Sequence, residues 1–220
     1  NQDWRHYLNG LYLFVEDTVI TSVATDAHRL AMATLPLNEG VQEQITGIVP
    51  RKSINEIGKL VGDSSENVVL KLGPSSIIVD ISGTTFASKL IEGKFPDYEQ
   101  VIPSGDSSTL SINRKLFSES LSRVSVLSSE KFRGVRIITS DNSINISANN
   151  PEKEQAEESI ECSYSGEATD IAFNVNYIQE ILSSIDDDSV EIHFFGSNKS
   201  CLITSPGSES FKYVVMPLLI

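Results

Sequence analysis

His28 is preceded by Asp26 and followed by Arg29, in the run Ala24-Thr25-Asp26-Ala27-His28-Arg29-Leu30-Ala31. An imidazole with a nearby carboxylate could move protons. Nucleophilic catalysis would also need a nucleophile on a strained turn, and no Gly-x-Ser-x-Gly occurs in the chain. The same run also reads as a structural turn or as a binding-site loop. Cys162 and Cys201 lie far apart in strand-like runs. Two buried thiols are expected there, with a disulfide left open. No Cys/His cluster has metal-ligand spacing, and neither Gly-x-Gly-x-x-Gly nor Gly-Lys-Ser/Thr is present. No catalytic residue, metal or cofactor is therefore assigned.

Two stretches stand out for binding. The tail Val214-Val215-Met216-Pro217-Leu218-Leu219-Ile220 is apolar to its last residue. A final strand accounts for Tyr213, Val214 and Val215. It does not account for Pro217 and its apolar neighbours, because proline cannot donate to a ladder. Apolar residues beyond a strand end mark a partner site. The polar-aromatic start, Asn1 to Tyr7, offers Gln2, His6 and Tyr7 for phosphate contact or base stacking. It serves equally as an ordered domain entry.

The net charge of -13 argues against a simple polyanion binder, but its distribution is uneven. Glu152, Glu154, Glu157, Glu158, Glu161, Glu167 and Asp170 crowd one region, and Asp186-Asp187-Asp188 forms a second acidic patch. Arg51, Lys52 and Lys59 outnumber Glu56 in one helix-like segment, and Arg114, Lys115 and Arg123 outnumber Glu119 in another. These could be ordinary solvated helix faces. An acidic body with locally basic helices could also meet DNA on one surface and repel it elsewhere. No apolar run is long enough for a membrane span. The start has no signal-peptide pattern, and the missing Met suggests a fragment.

The elements that must position these residues repeat. A strand end at Ile48-Val49-Pro50 leads to an amphipathic helix with Ile54, Ile57, Leu60 and Val61 on one stripe, ended by Gly62 and Asp63. Strands at 68–72, 77–81 and 85–90 follow, parted by Gly73-Pro74-Ser75 and Ser82-Gly83-Thr84. The order returns from Leu110, with Asn113 as N-cap, a buried stripe of Leu116, Phe117, Leu121, Val124 and Leu127, and strands at 135–139, 143–148 and 158–164. It returns again from Ile171, with a helix carrying Tyr177, Ile178, Ile181, Leu182 and Ile185 and strands at 190–195, 199–204 and 211–216. The first 47 residues hold only three strands, so roughly 25 residues, one strand and one helix, are missing from the first unit. Paired units make α+β domains. The expected domains are 1–98, incomplete at its start, and 99–220, joined by the Pro/Gly-punctuated connector 95–105.

The chain as a whole resembles the second and third domains of the bacterial sliding clamp, the beta subunit of DNA polymerase III. Carrying the resemblance are Arg5-His6-Tyr7-Leu8-Asn9-Gly10, Ala24–Ala31, Val49-Pro50-Arg51-Lys52, Ser88-Lys89-Leu90 with Gly93-Lys94-Phe95-Pro96-Asp97-Tyr98, Ser129–Val135, Ala148–Glu152, Phe173–Tyr177 and Tyr213–Pro217. The resemblance implies a DNA-clamp fold, α+β, of repeated helix-plus-antiparallel-sheet units with helices inside a ring and sheets outside. It implies a two-chain ring of three domains each, the first domain being absent here. It implies no catalysis, a cytoplasmic protein, and partners that are duplex DNA, DNA polymerase, the clamp loader and other proteins carrying a Gln-Leu-x-Leu-Phe-like peptide. The peptide groove would include Val215 and would use Leu8, Thr25, Leu30, Pro96, Val101, Val214 and Met216 in its deep part. Arg5, Ala27, His28, Arg29, Pro217 and Leu218 would form its shallow part. DNA contact falls to Gln2, His6, Tyr7, Arg51, Lys52, Arg114, Lys115 and Arg123. The dimer contact falls to Val126 and Leu127. The chain departs from the family at Ala27, where Gly is common, at Gln100, basic in some members, and at Leu218-Leu219-Ile220. A β-rich adaptor that binds proteins but never DNA is the alternative reading.

Overall fold

The structure is a computed structural model that describes residues 5–62, 67–129, 131 and 133–218. Gln2, Trp4, Asp63, Leu219 and Ile220 lie outside the described residues. The chain divides into two compact units between Tyr98 and Glu99.

In the first unit a 3-10 turn, His6–Leu8, precedes β1 (Gly10–Glu16), β2 (Val19–Thr25) and β3 (Arg29–Pro36). Then come β4 (Ile45–Pro50), α1 (Arg51–Val61), β5 (Val69–Leu72), β6 (Ser76–Ile81) and β7 (Thr84–Lys89). The strands run antiparallel in the orders β3-β2-β1-β4 and β5-β6-β7. Alternation of apolar and polar residues sends Leu13, Val49, Ile77 and Val79 into one core, with Ile54 and Ile57 of α1 packed against it. Gly10 is required: a Cβ there would sit 2.6 Å from the Val49 carbonyl oxygen.

The second unit holds β8 (Ser108–Asn113), α2 (Arg114–Ser125), β9 (Gly134–Ser140), β10 (Ser143–Asn149), β11 (Gln155–Glu161) and β12 (Ser163–Ser165). It continues with β13 (Asp170–Asn174), α3 (Val175–Ser183), β14 (Ser189–Phe194), β15 (Cys201–Thr204) and β16 (Phe211–Val215). Its sheets are ordered β12-β8-β14-β15-β16 and β11-β10-β9-β13. Asn113 and Asn174 cap α2 and α3, their side chains accepting from Leu116 N at 2.9 Å and Asn176 N at 3.0 Å. Phe117, Leu121, Val124, Ile178 and Leu182 of these helices are buried together with the inner faces of both sheets. Cys162 and Cys201 are free thiols, and full burial pushes the Cys201 thiol up to about 12.

The structure corrects the expected elements in four places. The strand expected over 158–164 is two strands, because the chain leaves one sheet at Cys162 and pairs Ser163–Ser165 with β8 in the other. The last strand stops at Val215, leaving Met216 outside it. Leu116 is 39% exposed, and Ser120 takes the buried place on α2. α1 differs more. Its apolar stripe has the expected spacing, yet its only buried residue is Ser53, and Leu60 is 40% exposed. α2 and α3 pack on each other and so bury their stripes.

Candidate functional site

The β2–β3 hairpin is built by its own side chains. The Asp26 carboxylate accepts from His28 N and Arg29 N, both at 3.0 Å, and from Arg29 Nε at 3.0 Å. The Thr25 hydroxyl donates to Arg29 O at 2.7 Å and accepts from Ala27 N at 3.1 Å. Asp26 is therefore a turn-forming residue, its Oδ1 engaged by two backbone N–H groups and its Oδ2 by Arg29 Nε. This ordered loop presents His28, which is exposed, and Ala27 and Arg29, which are half-buried. Leu30 pairs with Thr25 in the ladder and is 2% exposed, so it backs the loop from within. Ala27 has φ 72°, a left-handed conformation that costs an alanine about 1 kcal/mol. Ala27→Gly should therefore stabilise the first unit by about 0.5 kcal/mol in urea unfolding. No change or a loss of stability would mean that the loop relaxes at that position.

Of the other first-unit residues expected at a groove, Leu8 lies in the 3-10 turn and Arg5 precedes it, both half-buried. Pro96 is exposed on the connector. In the second unit, Val101 closes a 3-10 turn at Glu99–Val101. Val214 and Val215 are 1% and 0% exposed, core residues of β16. Past them the tail leaves the ladder: Met216 is 39% exposed, Pro217 and Leu218 are half-buried, and Leu218 N donates to Ala172 O at 2.7 Å on β13. The apolar wall of the second unit is thus Met216-Pro217-Leu218, with the valines as backing.

The basic residues separate into two groups. Arg51 and Lys52 are exposed in the first turn of α1, which has no acidic residue there and no side-chain cap on Pro50. Positive charge at a helix N-terminus opposes the helix dipole by about 0.3–1 kcal/mol each, and open N–H groups there favour an anion. Arg51 N donates to Asn9 O at 3.1 Å, which brings the His6–Leu8 turn beside the same helix end. His6 is exposed and Tyr7 half-buried. In the second unit Lys115 is exposed and 4.0 Å from Glu119. Arg114 and Arg123 are spent internally. Arg114 donates from Nε to Asp187 O at 2.7 Å and from Nη1 to Leu182 O at 3.2 Å, closing the end of α3. Arg123 grips the Glu158 carboxylate through two bonds of 3.0 and 2.6 Å, which holds that carboxyl below its usual range. Sequence reasoning missed both engagements because their partners lie 35 to 73 residues away.

Val126 follows α2 and is 76% exposed, with Leu127 half-buried beside it. β11 packs against α2 and is an edge strand carrying Glu157, Glu158 and Glu161. Among the described residues no group of His, Cys, Asp or Glu could hold a metal ion. No helix among them is long and apolar enough to cross a membrane.

Residues 1–97 match the central domain of the DNA polymerase III beta subunit, and residues 99–219 match its C-terminal domain. The beta sliding clamp of Vibrio cholerae is 42% identical over 219 residues, and that of Escherichia coli K12 is 37% identical over 218. Each comparison covers 99% of this chain, and the chain spans 59% of those relatives' length. The crystal structure of the Pseudomonas aeruginosa DNA polymerase III subunit beta superposes with a TM-score of 0.96 at 40% identity, over all of this chain and 61% of that one. A structure of the same clamp bound to griselimycin gives 0.96 over 60% of its chain. Matched by a family model over each unit, the chain belongs to the DNA polymerase III beta subunit family, the beta sliding clamps.

Proposed function

We propose that this chain works as part of a DNA sliding clamp, a processivity factor that tethers polymerase, clamp loader and other proteins to duplex DNA without catalysing a reaction. The reading rests on family membership. The observation that carries it is the apolar tail Met216-Pro217-Leu218 standing clear of the last strand. With the hairpin loop Thr25–Leu30 it would form two walls for a short linear peptide, whose Leu and Phe supply the buried anchors that dominate small interfaces. Leu8, Pro96 and Val101 would line the same groove, with Arg5, His28 and Arg29 at its rim. Exposed Val126 beside the acidic open edge of β11 suits assembly with a second subunit offering a basic strand edge. The protein would work in the cytoplasm, on the nucleoid.

DNA contact is assigned to the helix ends, chiefly Arg51, Lys52 and Lys115, with His6, Tyr7 and Gln2 as a second set. Arg114 and Arg123 contribute to the field while bonded within their own unit. Such contacts hold phosphates without reading bases. Fluorescence anisotropy with labelled duplexes tests this. The double variant Arg51→Glu, Lys52→Glu should weaken binding several-fold on every sequence. It should also flatten the salt dependence of log K by about one to two. Unchanged affinity with peptide binding retained would favour the protein-only adaptor. Sequence-specific binding at high salt would overturn the clamp reading.

A further inference from the structure

The first unit leaves part of a strand edge open. β4 ends the order β3-β2-β1-β4, so one of its edges has no strand beside it. Tyr12 pairs with Ile48, and Phe14 with Thr46, across β1 and β4. Along a strand of an antiparallel ladder, successive residues turn their N–H and C=O groups to alternate sides. Ile48 O accepts from Ile91 N, outside the ladder, at 2.8 Å. The backbone groups of Ile48, and of Thr46 two residues before it, therefore point away from β1. The extended chain leaving β7 covers this edge at Ile48. It cannot continue the pairing at Pro50, which has no N–H to donate. At Thr46 the edge is bare: the residue is exposed, and its N–H and C=O have no backbone partner on that side among the described residues.

Thr46 lies in a cleft of about 710 Å³, a volume that suits a bound ligand. Pro74, Leu90 and Ile91 give it apolar walls. Its lining also holds two ammonium groups, Lys89 and Lys94, against one carboxylate, Glu92. Both lysines are exposed, and neither is paired with a carboxylate among the described residues. On a chain of net charge -13 they make a local positive spot. The cleft is held in shape from both sides. Leu90 N donates to Ser75 O at 3.0 Å, and Phe95 stacks on Tyr12 with ring centroids 4.7 Å apart and planes 4° from parallel. A ligand entering there has little ordering of the protein to bring about.

We propose that this cleft receives an extended acidic segment of a partner protein, added to β4 as a further strand at Thr46. One residue of the segment exchanges two backbone bonds with Thr46, the pairing that an open edge offers any extended chain. Its carboxylates meet Lys89 and Lys94, and an apolar side chain between them rests on Pro74 and Leu90. Backbone pairing supplies affinity without regard to sequence, while the lysines select an acidic partner over a basic one. The cleft shares no residue with the peptide groove assigned above, so each site stands or falls separately.

The test uses the 220-residue chain and two probes, acetyl-Asp-Val-Asp-Val-Asp-amide and acetyl-Lys-Val-Lys-Val-Lys-amide. NMR follows the Thr46 and Gly47 amides in the cleft, with the His28 amide and the Met216 methyl as markers of the groove. The acidic probe should move the Thr46 N–H downfield with saturation and slow its exchange with solvent, and the basic probe should do neither. The double variant Lys89→Glu, Lys94→Glu replaces two attractions by two repulsions and should weaken the acidic probe about tenfold. Thr46→Pro removes the outward N–H while the ladder to β1 keeps its bonds. It should weaken binding, read at Gly47, by about two- to tenfold, whereas Thr46→Val, which keeps the N–H, should not. The amide shift and the lysine variant decide the matter should Thr46→Pro not fold. An equal response to the two probes, an unmoved Thr46 amide, or undiminished binding in the lysine variant or a folded Thr46→Pro overturns the proposal. Shifts confined to His28 and Met216 place the peptide in the groove and overturn it as well.

Discussion

Deleting Met216–Ile220 should lower the affinity for a labelled Gln-Leu-x-Leu-Phe peptide by tenfold or more, with the fold intact. The magnitude follows from where binding energy resides: a few buried apolar anchors carry most of a small interface, and each is worth about 1–2 kcal/mol or more. The deletion starts after Val215, so β16 keeps both of its fully buried valines and its ladder to β15. What is lost, among the described residues, is the apolar wall and the backbone bond from Leu218 to Ala172. Fluorescence anisotropy gives the affinity, and circular dichroism confirms the fold. An unchanged affinity in a folded variant removes the tail from the site and, with it, the reason for reading the loop Thr25–Leu30 as the opposite wall.

The second large effect is on stability, and it differs between the units. Phe117→Ala should cost the second unit about 3–5 kcal/mol, since the ring is 0% exposed between α2 and two sheets and its removal leaves a cavity. Leu60→Ala on α1 should cost less than about 1 kcal/mol, because that side chain is 40% exposed. Urea unfolding of both variants, followed by a probe in each unit, separates the two. The unvaried chain should itself unfold in two steps with the first unit leading, as α1 and the exposed Val69 and Leu70 of β5 bury little. Equal costs at Phe117 and Leu60 would show that α1 is packed as tightly as α2.

What was legible in the sequence depended on distance along the chain. The three helices, the Asn113 cap of α2 and most strands follow from local spacing, because period and capping are properties of neighbouring residues. The hairpin loop was visible as a loop, but Asp26 could be read as a partner of His28 until its oxygens were seen taking the backbone N–H groups of residues 28 and 29. The fates of Arg114 and Arg123 were not legible, since burial and pairing across 35 or more residues leave no local pattern. The same holds for the break at Cys162. A strand that changes sheets keeps its alternation, and only the partner strand tells the two halves apart. α1 shows the converse: a correct stripe does not bury itself, and its exposure depends on whether a second helix lies across it.

The internal commitment of Arg114 and Arg123 to acceptors of their own unit has a mechanical meaning for a protein proposed to travel on DNA. A guanidinium bonded within its own unit is less free to clasp a phosphate, so in the proposed clamp the holding force on the duplex would come mainly from few, solvated charges at helix ends. Equivalent positions along the duplex would then be separated by shallow barriers, and friction would stay low. The acidic remainder would repel the polyanion and so limit its adhesion to the protein surface. In the proposed clamp the second unit would behave as a bearing, with its grip on cargo and its slip on the axle built from different side chains.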